Sequence, residues 1–311
     1  MVIFCLDSCL TRFSVSIPMK NKLLTSLLTS LLLCFAVQAE EQKVCHMDDE
    51  CVEVGQWQLG LALGYGERSN PVRDYDDIPI YLAPTLAYYG DRWFFDNGNL
   101  GYTLADEELF SVNLTTSFSS DSAYFYRWDP SNIFISGTSQ LSSTPSAFTS
   151  RFQAFGAEPE PVFNELEDRK FTLLGGAEAF IYTPMGIINL ALAHDLFDVH
   201  SGMEAKVKWL YNLSWTDWKF EFAAVANWKS EEIINYYYGV RPSENTYWSE
   251  RYRAGSGTNL GLELTTQYIM SEHWELLFLV RYTDLADEIT ASPLVTESYT
   301  NTYFIGTAYR F

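Results

Sequence analysis

From Gln56 to the last residue the chain alternates apolar and polar positions with a period of two, in segments of roughly ten residues separated by turn residues. Residues 205–215 carry the pattern in full. Ala205, Val207, Trp209, Tyr211, Leu213 and Trp215 share one face, and Lys206, Lys208, Leu210, Asn212 and Ser214 share the other. Successive side chains of a strand point to opposite faces, so this is the period of a strand and not of a helix. The next segment repeats it, with Phe220, Phe222, Ala224, Ala226 and Trp228 opposite Lys219, Glu221, Ala223, Val225, Asn227 and Lys229. Further on, Leu260, Leu262, Leu264 and Tyr268 oppose Glu263 and Gln267, and Trp274, Leu276, Phe278, Val280 and Tyr282 oppose Glu275 and Arg281. Twelve strands are predicted, near 56–65, 78–89, 91–97, 99–104, 108–118, 170–182, 186–197, 202–215, 218–229, 257–270, 273–284 and 299–311. Beyond residue 40 no window holds the about 20 apolar residues that a spanning helix needs, so any membrane span is built from strands.

Charge in the middle of such strands decides which face meets lipid. Arg or Lys facing hydrocarbon at the midplane costs about 2–4 kcal/mol, which assigns Lys206, Lys208, Glu221, Glu263 and Arg281 to a lumen. A soluble sandwich would alternate in the same way with its faces reversed. Connection lengths separate the two. If the first strand runs outward, Gly90-Asp91, 105–107, 183–185, Thr216-Asp217 and 271–272 all fall on the periplasmic side, and all are short. The long connections 66–77, 119–169, 230–256 and 285–298 fall on the other side, with Asn97-Gly98 a tight outer turn. This parity predicts an all-β fold: a transmembrane antiparallel up-and-down β-barrel of about 12 strands, with long external loops and short periplasmic turns, in the outer membrane.

The two ends of the chain fit that destination. The closing segment puts Tyr303, Ile305, Thr307 and Tyr309 on one face, and Gly306-x-x-Tyr309-x-Phe311 resembles the terminal signature by which the barrel assembly machinery recognises its clients. Gly306, Tyr309 and Phe311 are therefore the candidate assembly signal. At the other end Lys20 and Lys22, the apolar run 23–35 and Val37-Gln38-Ala39 read as a secretory signal peptide, with residues 1–18 an upstream extension ahead of Met19. The expected organisation is 1–39 removed, 40–55 a periplasmic segment, and 56–311 the barrel. Of the five cysteines only Cys45 and Cys51 then remain, in a compartment that allows them to close a small disulfide loop. His46, Asp48, Asp49 and Glu50 lie between them, but no second ligand group stands at a usual metal spacing, so no metal or cofactor is expected.

A formal net charge of −20, more acidic still once residues 1–39 are gone, argues against a nucleic-acid partner. The 16% aromatic content suits girdles at two membrane surfaces, with lipid as the surrounding partner. The loop acids Asp74, Asp76, Asp77, Glu158, Glu160, Glu165, Glu167 and Asp168 read as a solvated face, with cation capture the alternative. His194-Asp195 and His200-Ser201 carry hydrolase chemistry in principle. A triad needs nucleophile, base and orienter within hydrogen-bond reach, and these four sit at one strand end with no Gly-x-Ser-x-Gly elbow. No enzyme is expected. Pro79 and Pro84 predict a bulge or interruption in the second strand, and Gly60, Gly64 and Gly66 a bend or a crowded lumen in the first.

Several blocks in order resemble the MipA/OmpV family of outer-membrane proteins, whose founding name means MltA-interacting protein. They are Gly64-Tyr65-Gly66-Glu67-Arg68-Ser69-Asn70-Pro71, Asp76-Asp77-Ile78-Pro79-Ile80-Tyr81-Leu82-Ala83-Pro84, Phe94-Phe95-Asp96-Asn97-Gly98-Asn99-Leu100-Gly101-Tyr102, Tyr237-Tyr238-Gly239-Val240 and Ser292-Pro293-Leu294-Val295. Residues 119–169 match least. The resemblance implies an outer-membrane barrel and a scaffold joining a murein transglycosylase to a murein synthase, with no catalytic residue carried over. A pore or uptake channel for small solutes, or a surface adhesin, is the alternative. The two leading readings part on whether 119–169 plugs the barrel and whether the lumen charges leave a water path.

Overall fold

The computed structural model describes residues 54–134 and 166–311. The signal peptide, the Cys45 and Cys51 pair, the acids of 40–53 and Glu158, Glu160 and Glu165 lie outside the described residues. Twelve strands are present in the expected order: β1 (Trp57–Arg68), β2 (Ile78–Tyr89), β3 (Trp93–Asp96), β4 (Asn99–Asp106), β5 (Phe110–Phe118), β6 (Leu173–Thr183), β7 (Gly186–Asp195), β8 (Met203–Trp215), β9 (Trp218–Lys229), β10 (Gly257–Ile269), β11 (Trp274–Asp284) and β12 (Tyr299–Arg310). Each pairs antiparallel with the next, and β12 returns to β1, which closes the barrel. Among the described residues no helix is long and apolar enough to cross a membrane.

Burial follows the period of two. Val207, Trp209, Tyr211 and Leu213 of β8 are exposed on the outer wall, whereas Glu221 and Glu263 on the opposite face of their strands keep 2% and 8% of their surface. Aromatic rings gather at two levels. Trp57 lies 5.1 Å from Tyr88 and 6.2 Å from Phe95 at the short-turn end, where Trp218 also meets Tyr268 at 4.8 Å and Trp274 meets Tyr309 at 4.9 Å. At the long-loop end Tyr65 lies 6.1 Å from Tyr81 and 6.2 Å from Tyr303. Tyr81 and Tyr88 are seven positions apart on β2, about 23 Å along the strand at roughly 3.3 Å per residue, which a tilt of roughly 40° projects to about 18 Å between the two aromatic levels.

The seam between first and last strands is built on glycine. Gly64 stands opposite Gly306, and a Cβ on Gly64 would fall on the Ile305 carbonyl oxygen and 2.6 Å from the Gly306 Cα. β1 is also the bulged strand, its register to β2 slipping between Leu63 and Gly66. The irregularity lies between the two prolines: β2 is one continuous strand, but its register to β1 shifts between Leu82 and Ile80, where Tyr81 and Leu82 are exposed in succession. β1 runs three residues beyond its predicted end, because its outer half stays paired to β12 as far as Arg68 opposite Thr302. β3 is the exception to the long wall, with four residues against the seven predicted. The turn at Asn97 and Gly98, both with positive φ (47° and 90°), ends it there and starts β4.

Candidate functional site

The described parts of the long connections fold onto one another as a cap. Val72 from the β1–β2 loop, Tyr124 and Phe125 from the β5–β6 connection, Ile233, Ile234, Tyr237, Tyr238 and Tyr252 from the β9–β10 loop, and Leu285, Ile289 and Val295 from the β11–β12 loop form one buried apolar cluster. The helix Glu231–Tyr238 supplies four of these side chains, since Ile233, Ile234, Tyr237 and Tyr238 fall at helical spacing on one face. Backbone bonds tie the loops to each other: Arg73 N–H to the Leu294 carbonyl at 2.7 Å, and Thr296 N–H to the Pro71 carbonyl at 2.8 Å.

Two buried ion pairs lie at the edge of this cluster. The Arg169 guanidinium has no exposed surface and donates to both carboxylate oxygens of Glu244, at 2.6 and 3.0 Å, and to the carbonyls of Glu167, Gly239 and Tyr237. With so many acceptors nearly all of its donors are used, which is what a buried guanidinium requires. The Lys229 ammonium, at the outer end of β9, is bound to Asp121, whose other oxygen accepts the Tyr238 hydroxyl at 2.6 Å. Burial raises the Tyr238 hydroxyl far above the usual phenol range, and the nearby Asp121 charge raises it further, so it stays a donor.

Burial alone would raise the Glu244 carboxyl, but the bonds from Arg169 and from the Arg241 and Glu167 N–H groups outweigh it and hold Glu244 below 4.5. A depressed carboxylate contributes stability that is fully present above its unfolded value and is lost as pH falls through the folded one. Proteolysis of the folded protein should therefore leave 230–256 intact at neutral pH and cut it increasingly as pH falls below the ordinary carboxylate range. Protection unchanged from neutral pH down to the lowest pH at which the barrel stays folded would mean that the Glu244 pair does not hold the cap.

Beneath the cap, charges from separate strands converge. Glu263 of β10 binds the Lys208 ammonium at 2.5 Å and the Arg281 Nε at 2.9 Å, so three of the five candidate lumen charges form one cluster. Glu221 is buried one strand away, opposite Asn212 and Thr265, and Lys206 lies opposite Ala191 and Asn227. Sequence reasoning missed further members of this polar interior: Asn113 and Asn189 donate to Glu178 at 3.4 and 3.5 Å, and Asn227 donates to Glu204 at 2.9 Å. Asn113 stands directly opposite Glu178, and Asn189, opposite Phe180, reaches it diagonally, a signal that needs register as well as period.

The remaining candidates are structural. At the terminus Tyr309 stacks edge-on against Trp274 and Phe311 at 4.9 Å, and the Phe311 N–H reaches the Leu59 carbonyl at 3.0 Å, while the Phe311 ring stays exposed. Asp195 organises the β7–β8 loop, accepting from Thr172, Phe197, His200 and Ser201. Burial lowers the His200 pKa despite Asp195 nearby, and its Nδ1 accepts the Gly202 N–H at 3.0 Å. Ser201 donates to Asp198 instead of to either histidine, so this candidate serine is not paired with a candidate base. Of the loop acids, Asp77 accepts the Asn70 N–H and Glu167 pairs with Arg241 at 2.6 Å. Among the described residues no group of three or more His, Cys, Asp or Glu is placed to hold a metal.

A closed antiparallel barrel with a lipid-facing apolar belt, two aromatic girdles and strand ends joined alternately by short turns and long loops is a bacterial outer-membrane β-barrel. The chain belongs to the family described as MltA-interacting protein MipA, whose model matches residues 59–311. It is 28% identical over 258 residues to the MltA-interacting protein of Escherichia coli strain K12, covering 83% of this chain and 91% of that one. It is 22% identical over 255 residues to the putative outer membrane protein YiaT of the same organism, covering 82% and 91%. It is 25% identical over 182 residues to the outer membrane protein OmpV of Vibrio cholerae, covering 57% and 69%. The relatives are named as interacting or outer-membrane proteins, and the protein is located in the outer membrane.

Proposed function

We propose that this protein is a closed outer-membrane barrel that works as a scaffold, holding a murein transglycosylase, and through it a murein synthase, at the periplasmic face. The observation that carries this reading is the cap: a barrel whose outer loops are packed into one buried cluster is ill suited to passing solutes through its mouth. The name of the Escherichia coli relative supports the choice of partner. Charge supports the choice of face. The short turns expose Asp91, Asp106, Glu107, Glu108, Asp217 and Glu272 against Arg92. The segment 40–55 that precedes β1 adds Glu40, Glu41, Asp48, Asp49, Glu50 and Glu53 against Lys43. A basic partner is drawn to such a surface, and the attraction fades with salt as the screening length shrinks to about 3 Å at 1 M.

Capture of a murein transglycosylase from envelope extract tests this. Capture should be strong at low salt, weak at 1 M salt, and reduced when 40–55 is deleted from a barrel that still folds. No capture at any salt would contradict the scaffold reading and bring the pore reading forward. Undiminished capture by the truncated barrel would move the contact from 40–55 to the turns.

A further inference from the structure

The cap carries a cleft between two of its loops. One wall is the stretch 248–255 of the β9–β10 loop, and the other is the short helix Asp287–Thr290 of the β11–β12 loop with Ala291 after it. The cleft holds about 440 Å³, within the roughly 300–1,000 Å³ of small-molecule sites. Both walls are fixed in place. Asn235 of the cap helix grips Ala254 twice, donating to its carbonyl at 2.7 Å and accepting its N–H at 3.0 Å. The Tyr252 hydroxyl crosses from one wall to the other and donates to the Glu288 carbonyl at 2.6 Å. Trp248 is set by Asn245, whose side chain caps the short helix Thr246–Ser249 by accepting the Trp248 N–H at 3.1 Å. The Arg251 guanidinium lies 3.8 Å over the Tyr247 ring and donates to the Tyr247 carbonyl at 3.1 Å, which holds a long side chain in one place. A ligand meeting walls already ordered loses less on binding.

Charge says what the cleft takes. Arg251 and Arg253 stand on one wall, Asp287 and Glu288 on the other, and among the described residues no ion pair joins the two sides. Two cations and two carboxylates cancel. A phosphate or a metal ion is therefore not favoured, since each would meet two like charges in the same cleft. A zwitterionic amino acid would engage one charge on each wall and leave the other two. A neutral ligand whose groups both donate and accept answers all four. A sugar hydroxyl does so, with an O–H for a carboxylate and two lone pairs for a guanidinium. The half-buried Trp248 adds a flat ring, whose negative face attracts the polarised C–H groups of a pyranose. Gly255 leaves its side of the cleft open, because a Cβ added there would meet nothing within 4 Å.

We propose that this cleft is a binding site for neutral oligosaccharides on the outer face of the protein. It lies at the long-loop end of the barrel. The scaffold reading concerns the periplasmic end, and the cleft stands or falls without it.

The test uses the folded barrel in a detergent without a sugar headgroup, fluorescently labelled and applied to an array of neutral oligosaccharides of hexoses and N-acetylhexosamines. The best binder and the zwitterion glycylglycine are then titrated calorimetrically. Wild-type protein should bind a subset of the array and keep it at 1 M salt, because screening acts little on a neutral ligand. Gly255→Phe, which projects a ring into the open space, should abolish binding. Arg253→Met should weaken it at least about tenfold, as the loss of one hydrogen bond to a charged group does. Both residues are exposed, and folding is read from the mobility shift between heated and unheated protein. Failure of the folded wild-type protein to bind any sugar on the array would overturn the proposal. So would sugar binding that is unchanged in both folded variants, or binding of glycylglycine in place of sugars that fades with salt.

Discussion

Gly64→Val is expected to abolish barrel assembly, leaving the protein secreted but neither closed nor inserted. The Cβ at this position falls on backbone, the Ile305 carbonyl and the Gly306 Cα, and backbone held in a ladder on both sides cannot yield as the end of a side chain can. The seam is the last pairing to form, since it joins residues at opposite ends of the sequence, so an obstruction there stops closure instead of distorting it locally. Gly60→Ala is the internal control on the same strand, because its Cβ would meet the Thr85 side chain at 3.3 Å, a contact that a small shift relieves. The unheated protein on a gel, and its share in the outer-membrane fraction, report the result. Folded barrel at wild-type yield from Gly64→Val would show that the strands are further apart at the seam than described.

The second large effect is expected at the lumen cluster. Glu263→Met leaves the Lys208 and Arg281 cations, which the carboxylate now holds at 2.5 and 2.9 Å, without their shared counter-charge. Removing one partner of a buried pair costs about 3–5 kcal/mol, and the partial exposure of both cations places this case toward the lower end, about 3 kcal/mol. Urea titration of refolded protein should show the loss as a lower midpoint at unchanged slope. Replacing all three residues by Met should recover most of it, since an apolar replacement of the whole cluster leaves no charge unpaired. If the single and triple replacements were equally destabilising, the cluster would owe its effect to packing and not to charge.

How much of this was legible beforehand depends on the range of the interaction. The strands, their order and the face assigned to Lys208, Glu263 and Arg281 follow from a period of two, which is local. That Lys208 and Arg281 meet on the same carboxylate depends on the registers of β8, β9, β10 and β11 together, which no single strand carries. The cap was hidden for the same reason in stronger form. Lys229 and Asp121 are 108 residues apart, and Arg169 and Glu244 are 75 apart. Tyr237-Tyr238-Gly239-Val240 stood out in the sequence as a matched block, but nothing within it says that both tyrosines are buried against loops from elsewhere.

The central claim is that the outer loops close the barrel. Single-channel recording of the refolded protein, residues 40–311, in a planar bilayer tests it most directly. At neutral pH the wild-type protein should leave the bilayer at its bare conductance, and Lys229→Met, which strips Asp121 of its buried counter-ion, should open it. Stable, discrete openings of the wild-type protein at neutral pH, unchanged by Lys229→Met, would contradict a closed cap.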